Sequence, residues 1–144
     1  MRMRSLTGDT LPLGKILRAG LIAIVAAIVA NLLALVIVRA LLDLPADFPA
    51  LQFGPIALFT AIGVALGVGV FAIISRAARQ PARTFWIVAM IALLVSLVPN
   101  LLLMLNPQAA PVPGGTAPVF GVLMIFHVIA AFVSVPVLTS LFRR

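Results

Sequence analysis

The chain contains no cysteine, one histidine and three acidic residues in 144. Without cysteine there is no disulfide and no thiolate-held metal or iron–sulfur site, and cysteine usage gives no sign of a redox compartment. Charged residues make up only 9%, against about 25% in an ordinary soluble domain. Four long stretches lack Asp, Glu, Lys and Arg altogether. Ionisable groups inside membrane spans usually mark ion paths and proton relays, so their absence argues against proton-coupled transport. There is also no catalytic triad, carboxylate pair, metal-ligand cluster or glycine-rich phosphate loop, and the chain reads as non-enzymatic.

Hydrophobic residues, by contrast, make up 64% of the chain; a soluble domain carries about 45–50%. A bilayer span needs about 20 predominantly apolar residues. Four such runs cover about 19–38, 55–74, 84–105 and 119–141. Little chain remains for a soluble part, so the expectation is one membrane domain over 1–144, an all-α up-down-up-down bundle of four helices. The first run exceeds the apolar core of about 7–15 residues found in a cleaved signal peptide, and reads as a retained helix.

Punctuation supports this division. Asp9 or Thr10 is suited to cap the first helix, with Pro12 in its first turn, where a missing N–H costs nothing. Pro45, Pro49 and Gly54 break the chain after it, with Phe48 and Phe53 expected at the interface. Pro55 is placed at the start of the second helix and Pro81 at the start of the third. Phe85 and Trp86 are expected at headgroup level. Asn106-Pro107 ends the third helix, because proline disfavours helical geometry at the residue before it. A proline- and glycine-rich connector follows, and Thr116 with Pro118 is expected to open the fourth helix.

Charge gives the orientation. Arg2, Arg4, Lys15, Arg18, Arg76, Arg79, Arg83, Arg143 and Arg144 flank the runs on one side, and Arg39 stands alone on the other. The positive-inside rule places both termini and the middle turn in the cytoplasm. The net charge of +7 is thus a matter of topology, and no nucleic-acid partner is implied. The expected surroundings are the lipid bilayer of a bacterial inner membrane, within a larger complex or a homo-oligomer. Similarity to the small multidrug-resistance transporters stops at four short helices, since the first span lacks their glutamate.

Inside the spans stand Asn31, Thr60, Ser96, Asn100, His127, Ser134 and Thr139. With a rise of about 1.5 Å per residue, all four helices place a polar group between the midplane and the outer surface. Ala19, Ala23, Ala27 and Asn31 recur every four residues on one face. Thr60, Gly63 and Gly67 share a face of the second helix, and His127 shares one with Ala130, Ala131 and Ser134. Small residues let helix backbones approach, and polar side chains bond across the contact. Gly63 and Gly67 are therefore expected at a close helix contact within the chain, or else on an oligomer face, and His127 is expected to point inward. Its bond would go to Asn31, to Asn100, to a carbonyl freed by Pro99 or Pro136, or to a ligand. Ser134 and Thr139 need no role beyond bonding their own helix carbonyls.

The chain resembles a family of small bacterial four-span membrane proteins of unknown function. The resemblance rests on Asn31 in an alanine-rich first span, on Ser96-Leu-Val-Pro99, and on Met124-Ile-Phe-His127-Val-Ile-Ala-Ala131 followed by Pro136-Val-Leu138. It implies four spans with an intramembrane histidine, and implies no activity.

Three functional readings stay open at this level. The first is an accessory or scaffold subunit acting through helix contacts. The second is a binder of a quinone, haem or chlorophyll-type pigment beside His127, whose imidazole has the chemistry of a single axial metal ligand. The third is a small transporter. No cofactor is required by the residues themselves.

Overall fold

In a computed structural model, residues 11–142 are described. They form four long helices and three short 3-10 turns, with no strand. The helices are α1 (Leu13–Leu41), α2 (Phe53–Ala77), α3 (Pro81–Leu105) and α4 (Ala117–Thr139). All four are long and apolar enough to cross a membrane, and the protein is a multi-pass membrane protein. Each helix outruns its expected span by a turn or so at one or both ends, except that α3 stops at Leu105 and α4 at Thr139.

The helix limits follow local chemistry. Pro12 is itself the residue capping α1, and the expected caps Asp9 and Thr10 lie outside the described residues, as do Arg2, Arg4, Arg143 and Arg144. Pro81 opens α3, and the preceding Gln80 is extended away from helical geometry (ψ 71°), as a residue before proline prefers. Asn106, before Pro107, ends α3 in the same way. Two expectations shift. α2 begins at Phe53, ahead of Pro55, and Thr116 holds the capping position of α4 without a capping hydrogen bond from its hydroxyl. In the connector before α4, Gly114 has φ +85°, a conformation that glycine alone adopts freely.

Two apolar cores are stacked along the bundle. The first joins Ile16, Ala19, Ala23 and Ala27 of α1 to Phe71 of α2, Phe85 of α3 and Leu138 of α4. The second joins Leu35 of α1 to Ile56 of α2, Phe120 and Phe126 of α4, and Phe48 and Leu51 of the first loop. The start of α1 thus meets the end of α2, the start of α3 and the end of α4. This is an up-down-up-down bundle, with Lys15, Arg18, Arg76, Arg79 and Arg83 near one end, called here the basic end.

Two of the aromatic residues expected at the interface are covered by the rest of the bundle. Phe48 is buried and meets Phe120 edge-on at 6.3 Å. Phe85 is buried against Phe71 at 5.0 Å. Phe53 does stay exposed, with the Arg39 guanidinium 5.7 Å from its ring centre. Arg39 also donates to the Leu51 carbonyl at 2.9 Å, so this cation, the one at that end among the described residues, ties the loop to α1.

Candidate functional site: a lateral groove between α2 and α3

Between the two apolar cores runs a polar level. Asn31 follows Ala27 by one turn on the buried stripe of α1 and is 1% exposed. Its Nδ2 donates to Thr60 Oγ1 of α2 at 2.9 Å. Its Oδ1 is buried and has no hydrogen-bond partner.

Beside this pair α2 and α3 part. At the basic end the Phe71–Phe85 ring pair fills the space between them. Farther along, the facing residues are small: Gly63 and Gly67 on α2, Ala92 and Ser96 on α3. They leave a groove of about 670 Å³. Its floor is α4, through Leu123, Phe126, His127, Ala130, Ala131 and Ser134, and Asn31 reaches it from α1. Phe59, exposed, stands at the rim. The volume falls within the roughly 300–1,000 Å³ typical of small-molecule pockets, which pair an apolar lining with a few convergent polar groups.

His127 is exposed into this groove. Its Nδ1 lies 2.7 Å from the Leu123 carbonyl, four residues back on its own helix. A carbonyl only accepts, so Nδ1 carries the proton, and in the neutral ring Nε2 keeps its lone pair. No residue described here bonds Nε2. Ser96 and Ser134 direct their hydroxyl protons to their own helices, at Leu93 (2.7 Å) and Ala130 (2.6 Å). Thr139 likewise bonds Val135 at 2.9 Å.

The structure therefore brings Asn31, Thr60, Ser96 and His127 to one groove, but not into one hydrogen-bonded cluster. His127 bonds neither asparagine; helical side chains lean toward the N-terminus, which puts the Leu123 carbonyl within its reach. Asn100 is half-buried and does not line the groove.

Within the chain, Gly63 and Gly67 do not make the close contact expected of them. A Cβ added at either meets nothing within 4 Å, so they make room rather than contact. The close approach is at Gly20 of α1, where an added Cβ would lie 2.8 and 2.9 Å from the two methyls of Val68. The buried face of α2 runs through Ile56, Thr60, Val64 and Phe71. Sequence reasoning missed Gly20, Phe59 and Phe126; only the proximity of Phe126 to His127 hinted at any of them.

Residues 12–144 match the family model described as a family of unknown function, DUF6069. The chain belongs to that family. No curated protein and no solved structure matches this DUF6069 protein. The groove is therefore read from its own geometry.

Proposed function

We propose that this DUF6069 protein is a non-enzymatic inner-membrane protein that binds one lipophilic molecule in the groove between α2 and α3. The observation that carries this reading is the buried, unpartnered Oδ1 of Asn31, a residue that lines the groove together with His127. An unsatisfied polar atom in hydrocarbon costs several kcal/mol, and a ligand that bonds it recovers that cost. Apolar walls suit a chain or ring, and the polar level suits a headgroup. With the basic bias of its ends, the bundle sits with both termini in the cytoplasm, which puts the polar level in the outer half of the bilayer.

A second reading, an accessory subunit, draws on α3. That helix buries only Phe85 and Leu93, and exposes Ile87, Ile91, Leu94, Val98 and Leu102. This surface serves for lipid or for a partner helix.

The test is an absorption spectrum of gently purified protein, together with mass analysis of its organic extract. One amphiphile per chain is expected. A haem or pigment spectrum would make Nε2 of His127 the axial ligand, and an extract holding only bulk lipid would contradict the proposal.

A further inference from the structure

Two side-chain atoms of residues that line the groove accept hydrogen bonds and have no partner among the described residues. Asn31 Oδ1 is an acceptor, and the Leu123 bond to Nδ1 leaves Nε2 of His127 an acceptor as well. They come from different helices, α1 and α4, so a matching head has to supply donors in two directions. Phe59 and Phe126 put aromatic rings beside it. Among the described residues no charged side chain lines the groove, which disfavours an ionic head.

We infer that the groove selects the reduced, hydroquinone form of a tailed aromatic diol over its quinone. This inference rests on the lipophilic-ligand reading above. A hydroquinone carries two hydroxyl donors and an apolar tail. Its quinone has the same skeleton but presents only acceptors, and would face Oδ1 and Nε2 with nothing to give. The remaining amide proton of Asn31 and the hydroxyl proton of Thr60, which only accepts from Asn31, could each meet a quinone oxygen, but Oδ1 and Nε2 would stay unpaired. Sites that hydrogen-bond a ligand hydroxyl discriminate strongly against the analogue without it, because their own buried groups are then left unsatisfied.

The experiment is a titration of the full chain in phosphatidylcholine nanodiscs with decylhydroquinone, kept reduced under anaerobic conditions, and separately with decylquinone. At least tenfold tighter binding of the hydroquinone is expected. His127→Leu, which sacrifices only a bond within one helix, and Asn31→Leu should each bring the ratio of the two affinities closer to one. Equal binding of both forms, abolished by Gly67→Leu, would overturn the donor preference and leave the groove reading standing. Tighter binding of the quinone would overturn it in the same way. Binding of neither form would overturn the inference, and bulk lipid alone in the extract would take the groove reading with it.

Discussion

Asn31 and Thr60 are joined by a 2.9 Å hydrogen bond between α1 and α2, and that bond uses only half of the asparagine amide. Side-chain bonds between membrane helices average about 0.6 kcal/mol, with a maximum near 1.7. Asn31→Leu also removes the orphaned Oδ1, so we expect a loss of about 1 kcal/mol or less. Thr60→Val should cost a similar amount, and the double variant less than the sum. Reversible unfolding in detergent measures this, and strict additivity would show that the two side chains do not interact.

Close packing of α1 on α2 turns on Gly20 and Val68. Gly20→Ala drives a methyl into Val68, and overpacking of this kind costs about 1–3 kcal/mol. Gly67→Ala should leave stability nearly unchanged, since its Cβ position is open. If Gly67→Ala destabilises and Gly20→Ala does not, the buried face of α2 is not the one through Val64.

These two positions show what the sequence made legible. The alanine stripe ending in Asn31 was readable because α1 is in contact along its length, so size at every fourth position reports burial directly. Gly63 and Gly67 carry the same signal with the opposite meaning. A small residue permits either an approach or a vacancy, and only the neighbouring helix decides which. The four-helix order, the start of α3 at Pro81 and the stop at Asn106 were legible for local reasons. The bond from His127 to Leu123 was not foreseen, although a histidine in any helix can reach the carbonyl four residues back.

Orientation is testable because the chain has no cysteine of its own. A cysteine at Ala78, in the α2–α3 turn, should react with an impermeant thiol reagent only from the cytoplasmic side. One at Gly114, in the exposed connector before α4, should react only from outside. The reverse pattern would invert the bundle in the membrane.

His127 contributes little to the fold, since its one bond lies within α4. We expect His127→Leu and His127→Asn to unfold within about 1 kcal/mol of the parent, in line with the modest worth of side-chain bonds in membranes. The bound amphiphile should nevertheless be weakened by His127→Leu. A large loss of thermal stability in both variants, measured after ligand removal, would make the histidine structural.

The most direct measurement is a native mass spectrum of the protein released from mild detergent, compared with two variants. Gly67→Leu places a side chain in the groove, and Leu94→Trp enlarges an exposed residue of α3 that does not line it. The parent and Leu94→Trp should each carry one added mass of the same amphiphile, and Gly67→Leu should carry none while remaining folded. An added mass that survives Gly67→Leu, or that is absent from the parent, would contradict ligand binding between α2 and α3.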